Sequence, residues 1–480
     1  MKKLRDLVEK VNTISVEADL DIEARGISFD SRTLRRGDIF VAVRGYSSDG
    51  HQFIDQAAEQ GAVCVLCEKP PTGSMPYILV EDARKALADI SAAWFGYPAE
   101  KISVVGVTGT NGKTTVTNLI KQIIEKCTGA KVGLIGTNLN MIGDRQLDAK
   151  LTTPESYEMQ QLMAEMVSEG CQYAVMEVSS HALHLDRVHG IQFDVGVFTN
   201  LSPDHLDFHG TIENYANAKA LMFKNCKCAA INIDDEYARF MIEGTNCRVI
   251  TYAVYDGVAD IVAKNIMLRA DRVDFCALMI GNLIRVALPI PGMFSVYNAL
   301  AAMSAAMTLG IDIEHIANVM HTCEGVKGRA EVVRTDSDFT VLIDYAHTPA
   351  ALENIIKTAR GFTKGRLITL FGCGGDRDKA KRPMMGEIAA RLSDIIIVTS
   401  DNPRTEAPSA IIDEIIVGVE KTGALYHRIE NRREAIYWAL ENASAGDVLI
   451  LAGKGHETYQ ILGNEKIDFD EREIVKEFFR

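Results

Sequence analysis

Short apolar runs bounded by Gly, Asn, Asp or Thr alternate along this chain with longer stretches whose apolar residues return every three or four positions. The first pattern predicts buried strands, the second helices packed on them. Strands are expected at 102–107, 132–135, 173–178, 195–199, 229–233 and 248–252, with helical patterns between several of them, as a parallel α/β sheet requires. Section 260–288 alternates more strictly and reads as antiparallel. Strands then resume at 341–343, 367–371, 395–398 and 448–451, again separated by helical segments. The N-terminal part reads as a small α/β unit with strands at 38–43 and 76–80. Breaks near Tyr97-Pro98 and Gly328-Arg329 divide the chain into regions 1–100, 101–329 and 330–480.

One stretch, VVGVTGTNGKTTV at 104–116, adds chemistry to the pattern. An apolar strand ends in a Gly/Thr/Asn turn, and a helix follows from Lys113 to about Lys126 with Val116, Leu119, Ile120 and Ile123 on one face. Strand, glycine loop and helix form the context of a phosphate-binding loop. Its backbone N–H groups and helix N-terminus face an anion, Lys113 reaches the terminal phosphates, and Thr114 holds Mg²⁺. The strict spacing wants glycine where Val107 stands; here the upstream glycines are Gly106 and Gly109. A nucleoside triphosphate is the expected ligand.

Composition narrows the class. Apolar residues make up 47% of the 480, enough for several cores, and no apolar run approaches the length of a membrane span. The N-terminus is charged and lacks the apolar core of a signal peptide, so a cytoplasmic protein is expected. The ten cysteines then read as reduced thiols rather than a disulfide framework. A net charge of −14 argues against a broad nucleic-acid surface, though a local pocket can still take a polyanionic ligand.

Polar residues gather where strands end. Glu177 closes the 173–178 run, and the 195–199 run leads into a segment rich in His and Asp that contains His205. A carboxylate and a histidine at neighbouring strand ends beside a phosphate loop suit a divalent cation that completes its shell with phosphate and water. Hydrogen bonding through water is the other role open to the histidine. Lys219, on an amphipathic helix at 214–223, reads as an ordinary helix lysine. In the last region four strands end in charged or glycine-rich segments, 344–347, 372–377, 401–404 and 453–457. Ligands of open parallel sheets bind beyond such ends, so one shared site is expected. The segments at 29–32 and 45–50 are turns beside strands, equally consistent with a structural or a binding role.

Taken in order, GTNGKTT, EVSSHAL, NLSPDHLDFH, DYAHTP, FGCGGDRDKAKRP, DNPR and AGKGHE resemble the Mur ligase family of peptidoglycan synthesis, over about 29–459. The resemblance implies an α/β fold of three domains: a small UDP-binding domain at 1–100, a central ATPase-like domain built on a parallel sheet at 101–329, and a C-terminal Rossmann-like, doubly wound domain at 330–480. It implies ATP and Mg²⁺, and amide-bond formation through an acyl phosphate. The partners implied are a UDP-N-acetylmuramoyl dipeptide and meso-diaminopimelate, with no membrane span and a monomeric chain. Carried over by motif, Gly109, Thr110, Asn111, Gly112, Lys113, Thr114 and Thr115 hold the triphosphate. Thr114, Glu177, His205 and Lys219 hold metal, Lys219 as a carbamate, and Asp344 and His347 approach the nucleotide. Ser31, Tyr46, Ser47 and Ser48 match UDP contacts, and Thr152, Thr153, Ser179 and Arg187 match contacts to the muramoyl-peptide. Asp401, Asn402, Pro403 and Arg404, with Arg377, Gly453 and Glu457, match the amino-acid site; Arg404 suits an extra carboxylate and Glu457 a distal ammonium. Ser295 stands where the family more usually has asparagine. The alternatives are the same ligase adding L-lysine, another amide ligase of the superfamily such as folylpolyglutamate synthetase, and a non-catalytic nucleotide-binding scaffold.

Overall fold

The apolar runs form strands covered on both faces. In the computed structural model, which describes residues 1–45 and 48–480, two compact units are present, Met1–Tyr252 with Ala301–Ile311, and Ala253–Leu300 with Asp312–Arg480. The expected contacts Tyr46 and Ser47 lie outside the described residues.

The first unit holds two larger sheets beside a short antiparallel pairing of Lys2–Lys3 with Glu23–Ala24. Strands β1 (Thr13–Glu17), β2 (Gly26–Ser28), β3 (Asp38–Val41), β4 (Cys64–Cys67) and β5 (Tyr77–Val80) form one in the order β1-β5-β4-β3-β2, parallel except for β1. The expected strand at 38–43 thus ends at Val41. Strand β4 contains a Cys-x-x-Cys run, a spacing that in other settings marks redox pairs. Side chains alternate along a strand, so Cys64 packs with Ile39 and Leu66 on one face and Cys67 with Phe40 and Val65 on the other. Burial pushes the two thiols up, to about 12 and about 11, and all ten cysteines are free.

The second sheet contains β6 (Ser103–Thr108), β7 (Val132–Ile135), β8 (Asn140–Ile142), β9 (Arg145–Leu147), β10 (Tyr173–Glu177), β11 (Phe193–Phe198), β12 (Cys226–Asn232) and β13 (Arg248–Ala253). Its order is β9-β8-β7-β10-β6-β11-β12-β13, and the pairs from β7 through β13 are parallel, while β8 runs antiparallel to both β7 and β9 at the edge. Helix α1 (Lys113–Thr128) buries Val116, Leu119, Ile120, Ile123 and Ile124, as its periodicity requires. The expected helix at 214–223 is shorter: α2 spans Ile212–Ala220, and a tighter 3₁₀ turn takes over at Leu221–Asn225.

The second unit opens with an antiparallel meander, β14 (Ile261–Leu268), β15 (Val273–Met279) and β16 (Asn282–Leu288). Its main sheet joins β17 (Glu331–Val333), β18 (Thr340–Asp344), β19 (Leu367–Phe371), β20 (Ile395–Val398), β21 (Tyr426–Arg428) and β22 (Val448–Ala452) in the order β17-β18-β22-β19-β20-β21. Only β17 is antiparallel. Alternate strand residues feed two cores. Leu342, Phe371, Val398 and Ile450 meet Leu352, Met385 and Ile412 on one face, while Ile343, Leu370, Ile397 and Leu451 meet Ile436 and Ile474 on the other. This is doubly wound packing.

On the first of those faces α3 (Lys381–Leu392) and α4 (Pro408–Glu420) approach so closely that glycine is required. A methyl group on Gly418 would collide with the Pro383 carbonyl, and one on Gly386 with that of Ile415. Neither obstacle is a flexible side chain, so the helices must separate. Gly418→Ala is expected to cost roughly 1–3 kcal/mol of stability, read as a lower urea midpoint for the second unit.

Candidate active site

Three features shape the phosphate loop. Gly109, with φ near +145°, packs so close to Thr199 that a side chain would strike its hydroxyl, and Gly112, near +87°, turns the chain into α1. The loop is tied to the segment after β11: Asn200 O accepts from Thr110 N at 2.8 Å, Asn200 Oδ1 accepts from Asn111 N at 3.0 Å, and Thr199 Oγ1 donates to Asn111 O at 2.6 Å. No side chain caps the first turn of α1, which begins at Lys113. A rigid loop opening into an uncapped helix is an anion site. The Lys113 ammonium folds back on the Gly109 and Thr110 carbonyls, at 2.9 Å from each.

Glu177, at the end of β10, lies beside this helix start and is 1% exposed. Its Oε2 accepts from Thr114 Oγ1 and Thr137 Oγ1, both at 3.0 Å, and its Oε1 from Thr137 N at 2.8 Å. Thr114 therefore commits its proton to Glu177 and keeps its oxygen lone pairs for a cation. Thr137 had no role in the sequence; the signal for it is its position just past the end of β7.

Lys219 sits on the inner face of α2, fully buried, with its ammonium 2.9 Å from Gly109 O and 4.6 Å from the centre of the Tyr215 ring. Burial first and the Lys113 charge second lower its pKa well below that of a free lysine, with Asp204 opposing them. The sequence placed this residue on a helix face; the structure buries it, in a setting that disfavours its charged form. The Tyr215 hydroxyl lies 3.1 Å from Thr110 Oγ1, which fixes α2 against the loop. His205, in a left-handed conformation, is half exposed, and its ring centre lies 4.9 Å from that of His181 and 6.3 Å from that of Tyr215. Nearby His209 is buried, with Nε2 3.0 Å from Ser180 Oγ; burial and the facing His181, His184 and His205 push it down to about 4.

Thr114 and Glu177 offer hard oxygen donors suited to Mg²⁺. Among the described residues no three His, Cys, Asp or Glu side chains form a metal cluster, so a cation here would draw other ligands from phosphate and water.

Beyond Glu177, Thr153 is bonded to both Ser179 and Arg187, and Thr152 adjoins Thr137. Thr153 Oγ1 donates to Glu177 O at 2.8 Å and accepts from Ser179 N at 3.1 Å, the Thr152 and Thr137 hydroxyl oxygens lie 3.1 Å apart, and Arg187 donates to Thr153 O at 3.2 Å. Arg187 is also paired with Glu155 at 2.7 Å. Ser31 is buried just past β2, and the carbonyl of exposed Ser48 accepts from Gly45 N at 2.8 Å past the neighbouring β3.

In the second unit the four charged segments meet at the carboxyl edge of four adjacent strands, β18, β22, β19 and β20. Asp344 is buried and accepts from Ala330 N and Ala346 N; burial raises its pKa against those bonds. The His347 ring is held 2.8 Å from Tyr345 O, and burial lowers its pKa. Asp344 O accepts from Gly453 N at 3.0 Å, and a side chain on Gly453 would lie 2.6 Å from Asp401 Oδ2. Asn402 donates to Glu457 Oε2 at 2.9 Å. Pro403 presses its carbonyl on Gly375, where any side chain would collide. Arg404 has φ near +50° and donates from Nη1 to Gly375 O at 2.7 Å. Arg377 is exposed. Glu457 is already engaged, since the Lys454 ammonium lies 3.2 Å from its Oε2. The Ser295 hydroxyl is turned back on Pro291 O at 2.8 Å.

The family described as Mur ligase middle domain matches residues 107–306, Mur ligase, glutamate ligase domain, matches 328–455, and Mur ligase family, catalytic domain, matches 23–95. The UDP-N-acetylmuramoyl-L-alanyl-D-glutamate–2,6-diaminopimelate ligase 1 of Clostridium acetobutylicum is 47% identical, covering 100% of this chain and 99% of the relative. The ligase of the same description from Caldanaerobacter subterraneus is 47% identical over 99% and 98% of the two chains. A solved structure of a UDP-N-acetylmuramoyl-L-alanyl-D-glutamate–2,6-diaminopimelate ligase superposes with a TM-score of 0.76 at 32% identity, covering 100% of this chain and 98% of the other. Matched in all three regions and aligned end to end with such relatives, the chain belongs to the Mur ligase family.

Proposed function

We propose that this chain is an ATP-dependent ligase that joins meso-diaminopimelate to UDP-N-acetylmuramoyl-L-alanyl-D-glutamate, a cytoplasmic step of peptidoglycan precursor synthesis. Relatives that carry this activity in their names align with it over its whole length. The observation that carries the chemistry is the rigid phosphate loop with Thr114 bonded to buried Glu177 and Lys219 bonded to Gly109. Under this reading 1–100 holds the UDP end of the substrate, 101–329 the ATP, and 330–480 the incoming amino acid.

A carboxylate is a poor electrophile because its charge is delocalised and its leaving group would be oxide. Phosphorylation by ATP supplies a leaving group. The substrate carboxylate attacks the γ-phosphorus, ADP departs, and the amine of diaminopimelate adds to the acyl phosphate and expels phosphate. The protein's part is positioning and charge neutralisation. The N–H groups of 109–115 hold the β- and γ-phosphates, with Lys113 swinging from the loop carbonyls onto them. Thr114 and Glu177 would hold Mg²⁺, which would draw charge off the transferring phosphate. Lys219, whose charged form burial disfavours, would act through its free-amine form as a nucleophile for CO₂: its lone pair forms the N–C bond, a proton leaves, and the resulting carbamate would be an anion fit for a second cation beside His205. Thr152, Thr153, Ser179 and Arg187 orient the peptide carboxylate, and Ser31 and Ser48, with Tyr46 and Ser47, hold the uridine end. Asp344 and His347 serve the nucleotide from the C-terminal region. Arg404 and Arg377 bind the distal carboxylate of diaminopimelate, with Asp401, Asn402, Pro403, Gly453 and Glu457 around its ammonium.

The test is phosphate release with ATP, Mg²⁺ and the UDP-muramoyl dipeptide, offering meso-diaminopimelate and L-lysine in parallel. Release with diaminopimelate alone is expected. Release with lysine would keep the ligase and discard the role of Arg404, and release with neither would leave the scaffold.

A further inference from the structure

Two buried cations lie behind the segments that gather at the C-terminal site. Lys454 has no exposed side-chain surface; its ammonium stands 3.1 Å from Asn402 Oδ1, 3.2 Å from Glu457 Oε2 and 3.7 Å from Asp401 Oδ1. Arg432, at the start of a helix spanning Arg432–Asn442, is equally enclosed. It donates to Glu471 Oε1 at 2.8 Å, to Ser400 O at 3.3 Å and to Ala452 O at 2.8 Å. Ser400 and Ala452 immediately precede Asp401 and Gly453, and β19 stands between the strands that lead to them. One guanidinium therefore bridges two strand ends across a third and sets the gap between the 401–404 and 453–457 segments. Within that fixed gap Lys454 faces two carboxylates, Asp401 and Glu457.

The charges have a direct consequence. Two carboxylates against one ammonium leave this buried layer with one negative charge, enough for a single ligand ammonium. Arg404, three residues on from Asp401 and braced on Gly375 O, offers one positive charge. Layer and arginine together complement a ligand end that carries both an ammonium and a carboxylate. Without Lys454 the layer would hold two negative charges and favour an end that carries an ammonium alone. Removing the lysine shifts preference in that direction whatever the exposed Arg377 contributes.

We propose that Lys454 is a specificity-determining positioning residue: by neutralising one of the two carboxylates and holding Asn402 against Glu457, it makes the pocket select an amino acid whose distal carbon bears both charges. This rests on the ligase reading above. The test uses the full chain and measures kcat and KM for meso-diaminopimelate and L-lysine, with KM for ATP alongside. Lys454→Met is expected to raise KM for diaminopimelate roughly tenfold or more and to lower the diaminopimelate-to-lysine ratio of kcat/KM by a similar factor. KM for ATP should stay within about twofold, because no part of the phosphate loop changes. Lys454→Arg, which keeps the charge, should retain the preference even where it slows turnover, and it decides the matter if the methionine variant does not fold. An unchanged ratio in folded Lys454→Met, or a lost preference in Lys454→Arg, overturns the proposal while leaving the ligase intact. A wild-type chain that releases phosphate with neither amino acid overturns the ligase reading itself, and this one with it.

Discussion

Lys219→Met is expected to abolish nearly all turnover while leaving the protein at least as stable as the wild type. These two outcomes belong together. Lys219 is fully buried, with its ammonium on one carbonyl and a tyrosine ring, and burial with the Lys113 charge disfavours its charged form. A buried ionisable group of this kind gives little to the fold; exchanging it for an apolar side chain of similar volume is commonly neutral or stabilising. Methionine, unbranched and adaptable, fills the same channel.

Under the proposed carbamate role, the chemistry would by contrast lose an anionic group beside the transferring phosphate. Removing a preorganised electrostatic group from such a site lowers kcat by roughly 10²–10³-fold. Steady-state phosphate release together with a urea titration separates the two effects. Lys219→Arg should be as inactive as the methionine variant, because a guanidinium stays protonated and forms no carbamate. Protein equilibrated with isotope-labelled bicarbonate should show a carbamate carbon in the NMR spectrum of the wild type and not of Lys219→Arg. A wild-type-like rate in either variant would remove Lys219 from the metal site and leave Glu177 and His205 to account for it.

Lys219 also shows where a sequence stops being informative. Its helix has ordinary amphipathic spacing, and nothing local distinguishes a lysine that faces solvent from one pressed onto a loop more than a hundred residues away. The parallel strands were legible because both faces are buried and the runs are continuously apolar, as in β19, where all five residues are buried. The phosphate loop was legible because strand, glycines and helix lie side by side in the chain. The missed elements are short and polar. The edge hairpin Arg145–Leu147 has two exposed residues of three, and every residue of the strand Glu465–Asp468 is exposed. Thr137, Lys454 and Arg432 were missed because Glu177, Asn402 and Glu471, which they bond, lie 40, 52 and 39 residues away along the chain. Glu457 was legible as a carboxylate at a strand end, but its engagement by Lys454 was not.

The second large effect is expected at Arg404. Arg404→Ala should lower kcat/KM for meso-diaminopimelate by roughly 10²–10³-fold, the scale of a charge-assisted pair left with one partner unpaired, and leave KM for ATP within about twofold. The backbone sharpens the test. Arg404 is held at φ near +50°, where an ordinary side chain is strained, and its N–H is bonded to Ile461 O at 3.2 Å. One guanidinium nitrogen is spent on Gly375 O, which braces the side chain and leaves its other donors for a ligand carboxylate. Arg404→Gly would relieve the strain and Arg404→Lys would keep the charge, yet neither restores a braced, two-pronged donor. Both should therefore stay close to the alanine variant in kcat/KM for diaminopimelate, while thermal melting should rank glycine as the most stable of the three at this position. If Arg404→Lys recovered most of the activity, charge alone would suffice and the fork geometry would not matter. If all three variants lost stability and activity in proportion, Arg404 would be a tie between the Gly375 loop and its own segment, and recognition of the second carboxylate would fall to Arg377.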